Sequence, residues 1–477
     1  MRYILNNDYY ICGWRNLPYA IMDKKKGEAK PMDQAQLELV FKCSGKKDID
    51  RDALDEDLRA FLDMLLEHGV VREAEEGERR TLAYTEYKGV YKSSVQWSIT
   101  GKCNYKCKHC FQSAPEGVLG EPTLEQCMDI IAQLDKCGIK NVALTGGEPL
   151  IRDDFFQIVD EITRRGMYVT TIYSNGKLLT DEFLDQLDAR NLRPAFQISF
   201  DGVGYHDWLR GVEGAEEIAI AAMRRLKDRG FPFSAAMGIW RENQGSLRES
   251  VKLLGSLGCR GLKLQQNMPQ GEWANETEHF LSYDETLQIY LDYLPFYKED
   301  GMPVDIQMEG FFSYTKDLGW SLVSDRHATE EMLEVMPPCG VIQTSLYIGP
   351  NGAITPCMSM CGAEVEAQFP NMFETPLEDI LTDSSYTRLT SHRAKDVLDH
   401  TEKCRDCAYR CQCCSGCRAF AVGAEGTDYL GIDPITCKIL TEGWGEKLEE
   451  VADALFERAT EEKARALYDP NYTPDLC

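Results

Sequence analysis

Three cysteines within eight residues set the tightest constraint on this chain. Cys103, Cys107 and Cys110 lie in the run Cys103-Asn104-Tyr105-Lys106-Cys107-Lys108-His109-Cys110, a C-x3-C-x2-C spacing just past a predicted strand. Thiolates placed this closely wrap a loop around one face of an inorganic cluster. A four-iron cluster is normally held by four thiolates, so three leave one iron open to another ligand. A structural zinc ion wants a fourth protein donor, and His109 sits too close to Cys110 to supply it easily.

The chain has 19 cysteines in 477 residues. Its start, Met1-Arg2-Tyr3-Ile4-Leu5-Asn6-Asn7-Asp8, lacks the apolar core of a signal peptide, and no apolar run reaches membrane-spanning length. A cytoplasmic location with no membrane partner is expected, and there close cysteine spacings read as metal ligation rather than disulfides. A formal net charge of −26 argues against a nucleic-acid partner, because phosphate binding needs Lys and Arg. With 43% hydrophobic residues the chain can bury a large core.

Periodicity divides the sequence into three zones. Residues 1–85 hold almost no chemistry motif. Short strands are predicted at 9–12 and 20–22, with helices near 32–42 and 53–67; Leu54, Leu58, Phe61, Leu62 and Leu65 form one stripe of the second helix. The charged run Glu73–Arg80 reads as a linker. From Val95, strands at 95–100, 141–145, 168–174, 196–200, 233–239 and 262–266 alternate with helices at 123–136, 153–165, 180–189, 214–229 and 246–257. This predicts an α/β fold of parallel strands with helices outside; periodicity alone does not choose between an open sheet and a barrel. Beyond about residue 335 cysteines are dense, strand pieces are short, and helices are expected only after Cys437. A small metal-stapled module fits such a segment.

Further motifs sit at the ends of the predicted strands, where α/β folds place ligands. Thr145-Gly146-Gly147-Glu148-Pro149-Leu150 follows the second strand; its glycines permit close backbone approach, and Glu148 offers an acceptor to an ammonium. Tyr173-Ser174-Asn175-Gly176 closes the third strand, Ile198-Ser199-Phe200-Asp201-Gly202 the fourth, and Arg210 follows in His206-Asp207-Trp208-Leu209-Arg210. Together with the triplet, these motifs resemble the radical S-adenosylmethionine (SAM) superfamily. The resemblance implies a partial (β/α)6 TIM-type barrel over residues 93–315. It also implies an open iron that chelates SAM and cleaves it to a 5′-deoxyadenosyl radical. The implied SAM contacts are His109, Gly146, Gly147, Glu148, Ser174, Ser199 and Arg210.

The C-terminal zone holds Cys339, then Cys357 in Asn351-Gly352-Ala353-Ile354-Thr355-Pro356-Cys357, then Cys404-x2-Cys407-x5-Cys413-x3-Cys417, and Cys437. This resembles the SPASM extension of peptide-modifying radical SAM enzymes, implying a Cys-rich iron–sulfur domain over 335–440 and a helical tail over 441–477. By that resemblance Cys339, Cys357 and Cys417 hold auxiliary cluster I, and Cys404, Cys407, Cys413 and Cys437 hold auxiliary cluster II. The cofactors are then three [4Fe–4S] clusters and SAM. Some relatives carry a fourth cysteine where this chain has Ser345, which leaves either an open iron or a substitute such as Cys361. Cys411 and Cys414 read equally as inert neighbours or alternative ligands. Cys12, Cys43, Cys127, Cys137 and Cys259 read as buried free thiols. Zinc ribbons also use C-x2-C pairs, but a ribbon does not explain the upstream triplet.

The substrate is constrained more loosely. In the sulfatase-maturing branch of the family an Asp follows the cysteine of the N-G-x-x-x-P-C segment; here that position is Met358, which weighs against sulfatase maturation. Residues 1–85, read as strands followed by three helices, resemble the winged-helix-like module that recognises leader peptides by strand addition; the alternative is a plain cap on the barrel. These resemblances imply maturation of a ribosomally made precursor peptide, with a thioether cross-link favoured. Carbon–carbon cross-linking and epimerisation share the same machinery, and a non-catalytic metal-binding scaffold would bind peptide without cleaving SAM. An external donor such as flavodoxin or ferredoxin is the implied electron source, and the sequence names no general base. Anaerobic reconstitution is expected to load about twelve irons per chain, as three four-iron clusters require. Changing Cys103, Cys107 and Cys110 to Ala should remove about four of them, whereas a total near four in the unaltered chain contradicts the auxiliary clusters.

Overall fold

The computed structural model describes residues 1–460 apart from 115–116, 266–270, 363 and 426–427. Cys477 and the far part of the expected tail, 461–477, lie outside the described residues.

The N-terminal region builds two small sheets. Strands β1 (Arg2–Leu5), β2 (Tyr9–Trp14), β3 (Leu17–Asp23) and β4 (Glu28–Pro31) precede helix α1 (Gln34–Lys42). Strand β5 (Ser44–Asp48), helix α2 (Glu56–Glu67), β6 (Val71–Glu73) and β7 (Tyr84–Glu86) follow. One sheet runs β5-β1-β6 and the other β4-β3-β2-β7. Asp33 caps α1 with a reciprocal Gln36 contact, and Leu39 and Val40 point into the core shared with Leu62 and Leu65 of α2. The region contains two helices rather than three, because the chain between them is taken up by β5. The expected linker is also pinned: Arg80 donates to the carbonyls of Leu5 (2.8 Å), Asn6 (2.7 Å) and Tyr9 (3.0 Å).

This region docks on the barrel through Trp14. Its Nε1 donates to the Cys137 carbonyl at 2.9 Å, and its ring stacks on Tyr87 at 4.7 Å. Gly138 allows the approach, since it has φ +76° and a Cβ there would lie 2.8 Å from both rings.

Strands β8 (Ser94–Ser98), β9 (Asn141–Thr145), β10 (Tyr168–Ser174), β11 (Ala195–Ser199), β12 (Phe233–Gly238), β13 (Gly261–Gln265) and β14 (Asp305–Met308) run parallel as neighbours. Helices α3 (Leu124–Lys136) to α9 (Tyr283–Glu299) connect them, and all but the short α6 (His206–Arg210) lay an apolar stripe on the sheet. In α3 that stripe is Cys127, Ile130, Ile131 and Leu134, behind a Thr123–Gln126 capping box. Strands alternate too: Val95, Trp97, Val142, Leu144, Phe196, Ile198, Leu262 and Leu264 pack outward under the helices. The alternate positions, Gln96, Thr171, Tyr173, Gln197, Lys263 and Gln307, face inward and are only partly buried. The lumen is therefore polar.

Beyond the six predicted strands the sheet extends at both ends. Antiparallel β15 (Phe312–Thr315) and β16 (Gly319–Leu322) follow β14; at the other edge β17 (Ser345–Ile348) pairs parallel with β8, and β18 (Ile354–Thr355) pairs antiparallel with β17. The resulting 11 strands end at β16 and β18, which do not pair, so the barrel is partial. The cysteine-rich zone is more helical than expected, with short helices at Leu377–Thr382, Ser385–Thr390, Ala394–His400 and Arg418–Glu425 before Cys437. Each is too short for a 3.6-residue period to show in sequence.

Lys92, at the entry to β8, is buried and donates to the Ile342 carbonyl. Burial lowers its pKa from 10.5 to about 7. Between those values the unfolded chain holds the proton that the folded chain lacks, so stability should rise with pH across that window. Chemical denaturation should show K92M more stable than the parent at pH 7, by on the order of a few kcal/mol, and free of that rise. Equal slopes in both proteins would contradict this.

Candidate active site

The cysteine triplet occupies the loop after β8, held by backbone contacts from two sides. Gly147 N–H donates to the Thr100 carbonyl and Glu148 N–H to the Lys102 carbonyl, both at 2.9 Å. A Cβ on Gly147 would lie 2.2 Å from the Lys102 oxygen, and one on Gly146 would lie 2.6 Å from the Thr100 oxygen, so the Gly-Gly turn is sterically required. On the other side Lys106 N–H donates to the Arg210 carbonyl (3.2 Å) and Lys108 N–H to that of Leu209 (2.9 Å). The cysteine loop is thus stitched to the β9 turn and to α6 (His206–Arg210).

Each sulfur of the triplet receives an N–H. Tyr105 N–H points at Cys103 Sγ (3.4 Å), Ala114 N–H at Cys110 Sγ (3.3 Å) and Arg210 Nη1 at Cys107 Sγ (3.7 Å). Burial pushes the Cys103 thiol up to about 12 and raises the other two. Neutral thiols have little use for three directed donors, whereas iron-bound thiolates are tuned by them. The residues present fit a cluster.

The neighbouring strand ends supply a buried polar frame. Glu148 is fully buried; one oxygen accepts from Ser174 Oγ (3.0 Å) and Leu150 N–H (3.2 Å), the other from Asn175 N–H (2.8 Å). Burial still lifts its pKa to about 7, so a cation arriving there would restore its charge. Arg210 Nε binds Asp201 at 2.6 Å. Burial opposes ionisation of Asp201, but the guanidinium beside it overcomes this and holds the carboxyl well below its usual range. His109 is pushed down to about 3 by burial, then by Arg210, so its imidazole is neutral; among the described residues Nδ1 has no hydrogen-bond partner, and the ring meets Trp240 edge-on at 5.6 Å. Ser199 ends β11 beside this group.

Three contributors were not singled out from sequence. Asp201 fixes Arg210; His206 Nδ1 accepts from Asp201 N–H at 2.9 Å; Asn175 Nδ2 reaches Asn104 Oδ1 (2.8 Å) and approaches Cys103 Sγ (4.0 Å). All three lie inside the quoted motifs.

The C-terminal cysteines separate into two sets. Cys404, Cys407, Cys413 and Cys437 line one pocket. Cys339, Cys357 and Cys417 share another environment: burial raises the Cys417 thiol first, then Asp433, then Cys339 and Cys357. Cys361 is not among them, since its thiol interacts with Tyr347 and Glu366. Ser345 pairs with Ser94 in the sheet. Cys411 Sγ turns to Glu330 (3.5 Å) and Cys414 Sγ to the Cys411 carbonyl (3.1 Å), both away from the pocket. Between the sets the chain reverses through three successive left-handed residues, Cys414 (φ 45°), Ser415 (φ 76°) and Gly416 (φ 65°). Two are not glycine, a cost paid back only where the site needs the turn. Cys12, Cys43, Cys127, Cys137 and Cys259 are buried thiols far from these sets in the core clusters.

Strand register places the sets relative to the triplet. Cys103–Cys110 follow the C-terminal end of β8. Cys357 follows β18, which runs back along β17 toward the Ser345–Ser94 pair at the N-terminal end of β8. The two thiolate groups therefore lie at opposite ends of β8, roughly 15 Å apart by strand rise, with the polar lumen between. Lys263, in ion pair with Glu309 at 3.2 Å, acts electrostatically on Cys357, and Gln96 Nε2 reaches Met358 Sδ at 3.5 Å.

Comparison with known proteins agrees with this arrangement. The Radical SAM superfamily profile matches residues 97–254, and the SPASM iron–sulfur cluster-binding domain matches 339–408. The chain is 26% identical over 352 residues to the AdoMet-dependent heme synthase of Nitratidesulfovibrio vulgaris, spanning 72% of this chain and 91% of that protein. It is 32% identical over 188 residues to the mycofactocin maturase MftC of Mycobacterium tuberculosis, 38% of this chain and 47% of that one. Its fold resembles Streptococcus suis SuiB bound to the precursor peptide SuiA, with TM-score 0.60 at 15% identity, covering 91% of this chain and 99% of SuiB. The chain thus carries a radical SAM domain and a SPASM iron–sulfur cluster-binding domain.

If Asp201 orients Arg210 for the site, D201N should weaken SAM binding about tenfold or more, the worth of one charge-assisted hydrogen bond, with iron content unchanged. Titration calorimetry on the reconstituted protein tests this, and unaltered affinity would contradict it.

Proposed function

We propose that the enzyme matures a ribosomally made precursor peptide and joins a peptide cysteine sulfur to a carbon as a thioether. The observation carrying this reading is the N-terminal β5-β1-β6 sheet, a short sheet of the kind that accepts an extended peptide at its edge. Residues 1–85 serve as the leader-recognition domain, 93–315 as the SAM barrel, 335–440 as the auxiliary-cluster domain and 441–477 as the tail.

Bound at Cys103, Cys107 and Cys110, a four-iron cluster with SAM supplies a 5′-deoxyadenosyl radical. Glu148 receives the SAM ammonium, Arg210 its carboxylate, His109 offers a neutral ring face, and Gly146, Gly147, Ser174 and Ser199 complete the pocket. The lumen lined by Tyr173, Gln197 and Lys263 receives the peptide. There the target carbon loses a hydrogen atom to the radical, and the cysteine loses a proton as sulfur bonds to carbon. Cys339, Cys357 and Cys417 would hold auxiliary cluster I, which would supply an acceptor for the remaining electron, and Cys404, Cys407, Cys413 and Cys437 would hold auxiliary cluster II. Flavodoxin or ferredoxin delivers the initiating electron in the cytoplasm.

Support comes from the mycofactocin maturase MftC and from SuiB, which binds the precursor peptide SuiA and whose fold extends over 91% of this chain. The heme synthases favour a second reading, a tetrapyrrole in the same lumen with a carboxylate on Lys263, because they match across 91% of their own length. They leave over a quarter of this chain unmatched, and the peptide reading gives the N-terminal region a purpose.

A short cysteine-bearing peptide encoded beside the gene decides between them. Reduced enzyme should release 5′-deoxyadenosine with it, remove two hydrogens from the peptide, and leave that cysteine resistant to alkylation. Removing the leader half should weaken peptide affinity at least tenfold. Turnover of a tetrapyrrole with no change to the peptide would overturn the proposal.

A further inference from the structure

Arg418 is a buried cation that forms no ion pair among the described residues. It is 1% exposed and lines the pocket formed by Cys404, Cys407, Cys413 and Cys437. Its Nη1 donates to the carbonyls of Tyr429 (3.1 Å) and Gly431 (2.8 Å), and its Nη2 to that of Ser415. Nε has no hydrogen-bond partner among the described residues. The other contacts hold the fork by neutral carbonyls and not by an ion pair.

A second cation, Arg326, also acts on Cys413, with its Nη1 held by the Pro338 carbonyl at 3.0 Å. Lys403 is exposed to solvent. Arg410 pairs with Glu330 (3.2 Å) and Asp399 (3.1 Å). Asp433 spends its carboxylate on backbone: one oxygen accepts from Cys417 N–H (2.7 Å), the other from Ile435 N–H (2.9 Å) and Thr436 N–H (3.2 Å). Asp433 therefore lines the pocket without pairing with Arg418, and a buried guanidinium with no ion-pair partner is costly unless a further negative group comes to share its cavity. Four thiolates around a four-iron core carry net negative charge in both oxidation states, and more when reduced.

We infer that Arg418 is the built-in counter-charge of auxiliary cluster II, with Nε–H aimed at its sulfur shell, and that it raises the reduction potential of that cluster. This rests on the proposed assignment of Cys404, Cys407, Cys413 and Cys437 to cluster II. Positive charge and sulfur hydrogen bonds both stabilise the reduced form, so an electron released at the lumen falls outward from cluster I to cluster II. Arg418 is a positioning residue, acting on potential and not on substrate. The three carbonyls that hold the fork come from both flanks of the pocket, Ser415 from the reversing turn and Tyr429 and Gly431 from the segment leading to Cys437. The charge is therefore fixed by the same backbone that carries the cysteines.

The test is an EPR-monitored redox titration of the full, iron-loaded chain in a C103A/C107A/C110A background, where only auxiliary signals remain. A C404A/C413A variant identifies the signal of cluster II; if it keeps all its iron and both signals, the ligand assignment itself fails. With the signal identified, R418Q should lower its midpoint by at least a tenfold change in the one-electron reduction equilibrium, 59 mV. R418K, which keeps the charge, should stay near the parent. Loss of cluster II in R418Q but not in R418K also supports the inference, since charge separates the two variants. An unchanged potential in R418Q overturns it, as does equal loss of the cluster in both variants, the mark of a purely structural fork.

Discussion

The parallel pairing of β17 with β8 is the constraint on which the site depends. It joins a four-residue strand of the cysteine-rich zone to the first barrel strand, about 250 residues earlier in the chain. A parallel ladder has direction, so the pairing also fixes which end of the barrel each cysteine set reaches. The triplet emerges at one end of β8, and Cys357 returns to the other. A polar lumen is left between them, walled by residues that the outward packing of Val95, Leu144, Phe196 and Leu262 turns inward.

The site is built from buried charges that are individually expensive and jointly satisfied. Glu148 ties the β9 turn to the end of β10 through two donors, Ser174 Oγ and Asn175 N–H, and Asp201 holds Arg210 against the cysteine loop. Breaking either leaves an uncompensated charge in a low-dielectric interior, where the penalty exceeds the worth of the bond itself. This is why the frame is rigid before any ligand arrives. His109 follows the opposite logic: burial keeps it neutral, so it adds a ring surface to the pocket without adding charge.

Much of this was legible in sequence because the barrel advertises its period. The six predicted strands fall within a residue or two of β8 to β13, and each helix between them appears where the apolar stripe placed it. The C-terminal zone was read less well: its helices span only four to eight residues before Cys437, and β17 finds its partner too far along the chain for local pattern to reveal. At the site, spacing singled out the cysteines, but not which sulfurs share a pocket. That Cys361 turns to Tyr347, and Cys411 to Glu330, is decided by tertiary contacts. Asp201 and Asn175 were visible as letters of motifs, yet their roles depend on strands that meet only in the fold. Arg418 sits beside Cys417 with no periodic signal, and only its burial distinguishes it from a surface cation.

The proposed chemistry requires one open iron on a cluster held by Cys103, Cys107 and Cys110, with Glu148 and Arg210 receiving SAM beside it. Electron–nuclear double resonance on the reduced protein, with SAM isotopically labelled at its amino nitrogen and carboxylate oxygen, tests it most directly. Strong couplings from both labels, abolished when Cys103, Cys107 and Cys110 are replaced, are the predicted result. A reduced cluster that binds SAM with neither coupling would contradict it.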